Sequence, residues 1–166
     1  MILNNKSIAG TILFIAGVQY VSLVSIGAHY SNNTVLNASV ILSGILVIVA
    51  AFFIQRAYKS MPFTALLFLS GIGALGIGLL PVNSNEYLAL ADIGYVVAGL
   101  AAIMSYKFSK SPLSYLFALL GILSLVLFVL WIAGQVPPSI IDNLVLSWML
   151  AFGAHIIGDA DKKPPM

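Results

Sequence analysis

The ionisable side chains that could do chemistry are few in this chain, which has five acidic residues and two histidines among its 166 residues. Asp92 is the most unusual of them, because it lies inside the apolar stretch YLALADIGYV of residues 87–96. A carboxyl group in such a stretch could bind a ligand, an ion or a proton. It could also make a hydrogen bond that fixes the packing of two helices, and the sequence leaves both interpretations open.

Two other acidic residues have a simpler interpretation. Glu86 and Asp142 each lie three residues after a residue that could begin a helix, Asn83 and Ser139 respectively. A carboxylate in the first turn of a helix is stabilised by free backbone N–H groups and by the helix dipole. We therefore expect both to cap helices. Asp92, about 13 Å below the predicted cap at 1.5 Å per residue, has no such explanation.

Several polar residues could share a site with Asp92, one on its own predicted helix and three on other helices. Tyr95 follows it by three residues on the same helix face, Gln19 lies near the middle of the first span, and Asn37 and Asn143 lie nearer the surface. An interhelical hydrogen bond is the simplest role for Gln19. Together these five residues form the predicted ligand-binding site, although one sequence does not show which helix faces converge.

Metal, cofactor and nucleic-acid sites are not indicated. His29 and His155 are predicted at opposite ends of the bundle, so they cannot both ligate one haem iron. The absence of cysteine excludes disulfides, thiolate metal sites and cysteine nucleophiles. No phosphate-binding loop or Ser–His–Asp arrangement is present, and the seven basic residues are too sparse to bind nucleic acid. We predict no catalytic residue, no metal and no cofactor.

The elements that position these residues are predicted to be membrane-spanning helices. The chain is 61% hydrophobic and 7% charged, whereas soluble domains are about 25% charged. Its apolar stretches have about the 20 residues that cross about 30 Å of hydrocarbon. We predict a single all-α domain over residues 1–166, a bundle of six transmembrane helices at about 8–29, 35–56, 62–80, 86–106, 112–134 and 139–158, followed by a polar tail over 159–166.

The basic residues predict the orientation of this bundle. With six spans, all seven fall on one side of the membrane: Lys6, Arg56, Lys59, Lys107, Lys110, Lys162 and Lys163. The positive-inside rule then places both termini and the polar tail in the cytoplasm of a cell whose plasma membrane the chain crosses several times. Asn32, in the sequon Asn32-Asn33-Thr34, would lie in an outward loop where glycosylation is sterically feasible.

Two patterns concern helix packing. Ser70, Ala74 and Gly78 form a small-residue stripe on helix 3, which could serve an intrachain contact, a dimer seam or a ligand groove. A weak repeat relates helices 2 and 3 to helices 4 and 5. It aligns residues 37–44 with 92–99, and residues 69–72 with 119–122.

An ordered set of short motifs runs along the first three predicted spans. They are Gly17-Val18-Gln19, Tyr30-Ser31, Leu36-Asn37 with Gly44, and Gly76-Ile77-Gly78-Leu79-Leu80-Pro81. In this order they resemble a family of archaeal and bacterial multi-spanning proteins, domain of unknown function 998, over about helices 1 to 5. The resemblance implies a prokaryotic protein with a six-helix membrane fold, and it implies no particular activity.

Three classes of function are compatible with these residues. The first, which we favour, is a small carrier or binder of a lipid-like or small ligand, with an outward-opening site near Asp92. The second is a non-catalytic accessory subunit of a larger membrane complex, in which Asp92 and the helix 3 stripe serve packing. The third, an intramembrane enzyme, would need Asp92 or Asp142 within hydrogen-bond reach of a second ionisable group beside a cavity. The lipid bilayer is a partner in all three.

Overall fold

The computed structural model describes residues 4–29, 33–81, 84–110 and 112–160, and its secondary structure within them is helical, with short connections between the helices. The side chains of residues 23–29 and 33 are outside this description, as are Asn32, Asn83 and the end of the predicted tail. Six helices confirm the predicted all-α bundle, with bounds that differ from the prediction by a few residues. They are α1 (Asn5–His29), α2 (Asn33–Tyr58), α3 (Met61–Leu79), α4 (Asn85–Met104), α5 (Leu113–Ile132) and α6 (Pro138–Ala160), and a 3₁₀ turn at Ser105–Phe108 extends α4.

The outer surface of the bundle is apolar along most of its length. Among the described residues, five helices, α2 to α6, are long and apolar enough to cross a membrane. Large hydrophobic side chains such as Phe52, Leu119, Ile122 and Val129 are exposed on them. Water would disfavour such a surface, whereas lipid tails solvate it. The chain is therefore a multi-pass membrane protein.

Local signals in the sequence begin the helices. Pro62 and Pro138 lie in the first turns of α3 and α6, where a proline costs no hydrogen bond. Ser84 caps α4, because its side-chain oxygen accepts a hydrogen bond of 3.1 Å from the backbone N–H of Tyr87. The prediction that Asn83 is the cap was wrong by one residue, so that Glu86 occupies the second helical position instead of the third.

The helices form a closed ring in chain order, in which each packs against the next and α6 packs against α1. Lys6 closes the ring at one end, where its ammonium group lies 3.3 Å from the Asp159 carboxylate and 5.2 Å from the centre of the Tyr58 ring. Because α6 extends to Ala160, Asp159 and Ala160 belong to this helix, and the prediction that the polar tail begins at residue 159 was wrong. We call this end, where α1, α3 and α5 begin, the basic end, and the opposite end the distal end.

The α2–α3 and α4–α5 hairpins each contain a close approach of two backbones at a pair of glycines. A Cβ atom on Gly71 would lie 2.8 Å from the Gly44 carbonyl oxygen, and one on Gly121 would lie 2.5 Å from the Gly99 carbonyl oxygen. Only glycine permits such an approach of two backbones. The weak repeat aligns Gly44 with Gly99 and Gly71 with Gly121, so the aligned positions have the same structural role.

The interior of the ring is filled by aromatic side chains toward the basic end. Phe152 lies at the centre, with its ring 5.6 Å from that of Phe63, 5.4 Å from that of Phe117 and 5.9 Å from that of Trp148. The Trp148 indole N–H donates a hydrogen bond of 3.0 Å to Ser105, so its polar atom is satisfied within the core. This aromatic cluster, defined as Phe63, Phe117, Trp148 and Phe152, occludes the bundle from the basic end.

Candidate functional site

A cavity of about 350 Å³ occupies the other half of the ring interior. We call it the distal cavity, because its lining begins in the first turns of α2, α4 and α6. On α6 the lining runs from Pro138 to Met149, about 17 Å at 1.5 Å per residue. Side chains of α1, α2, α3, α4 and α6 form its walls, and the polar ones among them are Tyr20, Asn37, Ser43, Ser70, Tyr87, Tyr95 and Asp142.

Asp142 is the acidic residue among the described residues that line this cavity. It is the fifth residue of α6, and its Oδ1 atom accepts a hydrogen bond of 2.8 Å from the Tyr95 hydroxyl group on α4. The prediction that Asp142 caps its helix was wrong. The helix begins at Pro138, so Asp142 lies beyond the first turn, where a capping side chain would find free N–H groups, and its side chain reaches across the ring to Tyr95 on α4.

Three tyrosines line the cavity together with this carboxyl group. They are Tyr20 on α1 and Tyr87 and Tyr95 on α4, and the Tyr95 hydroxyl group donates the hydrogen bond to Asp142. The Tyr95 ring in turn packs against the Trp131 ring in a T-shaped arrangement, with 5.5 Å between the ring centres. Phenol groups from two helices therefore line the space beside one carboxyl group.

Gln19 does not line the cavity but makes hydrogen bonds to α2, which forms part of its wall. Its side-chain amide donates hydrogen bonds to the Ser43 hydroxyl group and, over 3.2 Å, to the Ser39 carbonyl oxygen, both on α2. This confirms the predicted interhelical hydrogen bond. Ser43 itself lines the cavity, so Gln19 fixes a polar group of the site without lining it. The Gln19 Oε1 atom is buried and has no hydrogen-bond partner among the described residues.

Two of the five predicted site residues line the distal cavity, namely Tyr95 and Asn37. Asp92 and Asn143 are not among the described lining residues. At 100° per residue, each lies about 120° around its helix from the mean direction of the lining residues of that helix. The acid beside the cavity is thus Asp142 instead of Asp92, and a ligand-binding role for Asp92 stays a prediction.

The small-residue stripe on helix 3 is divided between two roles. Ser70 and Ala74 line the cavity. Gly78 lies against α2, where an added Cβ atom would be 2.5 Å from the Ile41 side chain. Of the three alternatives for this stripe, the intrachain contact and the ligand groove are the two that the geometry favours.

The lining offers binding and proton-transfer groups and no evident metal site. In the described part of the chain, no three histidine or acidic residues are close enough together to hold a metal ion. Ser43 and Ser70 line the cavity, but no described histidine lines it to act as their base. The arrangement can therefore hold a molecule with one polar end, and its Asp142–Tyr95 pair can exchange a proton with that molecule.

Comparison of the chain with protein-family models, with curated proteins and with solved structures gave no match. The resemblance to domain of unknown function 998 therefore stays a prediction, and the function has to be inferred from the geometry of the cavity.

Proposed function

We propose that this protein binds a small amphipathic molecule in the distal cavity and acts as a membrane binder or carrier for it. The observation that carries the proposal is the cavity itself, whose volume of about 350 Å³ lies within the range of about 300–1,000 Å³ typical of small-molecule sites. Its walls combine apolar side chains with a few convergent polar groups, the arrangement by which such sites fix the orientation of a ligand.

The distribution of polar groups gives the orientation of the ligand. Tyr87 and Asp142 lie near the distal ends of α4 and α6, whereas the deepest lining residues include Val47 and Met149, which are apolar. A ligand would therefore place its polar end beside Asp142 and its apolar end toward the middle of the membrane. This arrangement fits the lipid-like or small ligand expected from the sequence, with Asp142 in the place predicted for Asp92.

We propose further that the protein resides in the plasma membrane of a prokaryotic cell with both termini in the cytoplasm. The support is the position of the basic residues: those in the described part, Lys6, Arg56, Lys59, Lys107 and Lys110, all belong to the basic end. Under the positive-inside rule this end faces the cytoplasm. The distal cavity would then open toward the outside of the cell.

The aromatic cluster distinguishes a binder from a carrier. It lies between the cavity and the basic end, where Phe152 contacts three other aromatic rings. A binder needs no change in this cluster. A carrier must move it aside to expose the ligand to the second side of the membrane, since alternating access requires opening at each end in turn.

An intramembrane enzyme is the second candidate, and a specific observation favours it. Tyr95 and Asp142 are two ionisable groups within 2.8 Å of each other beside a cavity, which is the condition that an enzyme would have to meet. A carboxyl group and a phenol could act as general base and general acid. The accessory-subunit hypothesis has less support, because the helix 3 stripe is used within the chain.

A cavity-filling variant tests the proposal. Ala74→Phe adds a ring inside the cavity, whereas Ala65→Phe adds the same ring to the exposed face of the same helix. Native mass spectrometry of the protein extracted from host membranes should detect a bound small molecule on the wild type and on Ala65→Phe, but not on Ala74→Phe. Equal occupancy in both variants, or no bound molecule in the wild type, would overturn the proposal.

The recovered molecule also separates the two candidates. The purified protein is incubated with it, and its mass is followed over time with Tyr95→Phe as the comparison. A binder or carrier returns the molecule unchanged. Conversion by the wild type that Tyr95→Phe abolishes would establish the enzyme instead.

A further inference from the structure

The charges around the distal cavity narrow the chemical class of its ligand. Asp142 is the one acidic residue among the described residues that line it, and these residues include no lysine, arginine or histidine. The loops of the distal end have the same bias, since the sequence places no lysine or arginine in residues 29–37, 80–86 or 132–138. A molecule that approaches from this end meets the negative side of the protein, which attracts cations and repels anions.

The carboxyl group of Asp142 has unused capacity to bind such a cation. It accepts one described hydrogen bond, from the neutral Tyr95 hydroxyl group, whereas a carboxylate can accept about four. An ionised carboxylate inside a membrane protein is stable only when it is paired. The ion pair present among the described residues joins Lys6 to Asp159 at the opposite end of the bundle, so it does not serve Asp142.

The tyrosines favour a cation for an independent reason. The faces of aromatic rings attract ammonium groups, and this attraction reaches about 2 kcal/mol when water is excluded. Tyr20, Tyr87 and Tyr95 come from α1 and α4 and line the cavity beside the same carboxyl group. Several aromatic rings with one carboxylate form the kind of cage that recognises alkylated ammonium groups.

On the basis of the proposed binding function, we infer that the ligand is a compact organic monocation with a short apolar tail, of the alkylammonium class. Its ammonium group lies between Asp142 and the three tyrosines, and its tail extends along Ala74 and Met149. The volume of about 350 Å³ corresponds to roughly a dozen groups of about 30 Å³, the volume of a water molecule. A trimethylammonium head with a chain of about six carbon atoms would fill it.

Three probes with one tail and different head charges test this inference. Hexyltrimethylammonium, hexan-1-ol and hexyl sulfate are equilibrated with the wild-type protein in lipid nanodiscs, and the amount bound above that in empty nanodiscs is measured. We expect hexyltrimethylammonium to bind about ten- to thirtyfold more tightly than the neutral and anionic probes, as a desolvated cation–π contact predicts. Equal or tighter binding of hexan-1-ol or hexyl sulfate would overturn the inference.

Substitutions locate the effect at Asp142. Asp142→Asn keeps a hydrogen-bond acceptor for Tyr95 and removes the charge, so the preference for the cation should fall about tenfold. Asp142→Glu should keep it. Glu86→Gln makes the same acid-to-amide change on the exposed start of α4 and should leave the preference unchanged. A preference that survives in a folded Asp142→Asn protein would contradict the inference, and the wild-type comparison remains decisive if that variant does not fold.

The same set of probes separates failure of this inference from failure of the proposed function. If hexan-1-ol binds best and Ala74→Phe abolishes its binding, the cavity binds small molecules but is not selective for cations. If Ala74→Phe changes the binding of none of the probes, the cavity is not the binding site. That second result would contradict the proposed function as well.

Discussion

The hydroxyl group of Tyr95 on α4 donates a 2.8 Å hydrogen bond to the carboxyl group of Asp142 on α6. These two helices are not neighbours in the ring, because α5 lies between them and they make few direct contacts. The hydrogen bond therefore spans the interior of the bundle at the cavity. Both its geometry and the shape of the cavity depend on how the ring closes, so the stability of the fold and the integrity of the site should be coupled.

A double-mutant cycle measures this coupling. Tyr95→Phe removes the hydroxyl group, Asp142→Leu removes the acceptor, and the double variant removes both. Cycles in membrane proteins give about 0.6 kcal/mol on average and up to about 1.7 kcal/mol per hydrogen bond, and we expect a coupling in the unfolding free energy within this range. Tyr115→Phe, on the exposed start of α5 at the basic end, is the control and should show no coupling to Asp142→Leu. If the effects of Tyr95→Phe and Asp142→Leu on the unfolding free energy simply add in the double variant, the hydrogen bond does not stabilise the fold.

The contributions of Asp92 and Asp142 to ligand binding can be compared by making the same substitution at each position. Asp142→Asn changes a side chain beside the cavity, whereas Asp92→Asn changes one that is not among its described lining residues. We expect Asp142→Asn to weaken binding of a cationic probe about tenfold, and Asp92→Asn to change it less than twofold. Equilibrium dialysis of the two variants in nanodiscs gives both values. The opposite result would return the site to the position predicted from the sequence.

The number of helices and the approximate positions of their ends could be predicted because the signals are local. Apolar stretches of sufficient length, with Pro62 and Pro138 at their starts, are enough to define spans. The error in the cap of α4 arose because a local signal can be ambiguous by one residue. Asn83 and Ser84 are both good N-cap residues, and their sequence alone does not say which of the two adopts the cap geometry.

The site could be predicted only in part, because it depends on the rotation of each helix about its axis. In a soluble bundle the polar face of a helix marks its outside, but here the lipid-facing and interior faces are both apolar. The distance of Asp142 from Ser139 favoured a capping role, whereas the true start at Pro138 moves it beyond the first turn. Tyr87 was not predicted as a site residue at all, since neither its neighbours nor its spacing set it apart.

The contact between α3 and α4 predicts an asymmetric response to alanine. A Cβ atom on Gly73 would lie 2.6 Å from the Gly94 Cα atom, but one on Gly94 would lie 3.4 Å from the Gly73 Cα atom, an ordinary contact. Gly73→Ala should therefore push the helices apart and cost about 1 to 3 kcal/mol of unfolding free energy. Gly94→Ala should be nearly neutral.

Gly158→Ala is the matched control for these variants, because no described atom lies within 4 Å of its added Cβ atom. Alanine should stabilise α6 there by up to about 1 kcal/mol through its higher helix propensity. Thermal unfolding in one detergent compares all three proteins. If Gly73→Ala is as stable as Gly94→Ala, the close approach of α3 and α4 is not a feature of the protein in its membrane.

Single cysteines can test the orientation and the charge of the cavity together, because the natural chain contains no cysteine. Ser70→Cys places a thiol inside the cavity, and Lys59→Cys places one at the basic end. In right-side-out vesicles, a membrane-impermeant trimethylammonium thiosulfonate reagent should modify Ser70→Cys from outside. The same reagent should reach Lys59→Cys only after the vesicles are permeabilised. The reverse pattern of accessibility would contradict the proposed cytoplasmic location of the termini.

The rate of modification at Ser70→Cys reports the charge beside it. Relative to their rates with a free thiol, the cationic reagent should react about tenfold faster than a sulfonate reagent of similar size, because the carboxylate attracts the one and repels the other. Asp142→Asn in the same background should remove most of this ratio, and Glu86→Gln should not. Equal rates for the two reagents in the Ser70→Cys protein would mean that Asp142 presents no negative charge to the cavity, and a cationic ligand would then lose its principal partner.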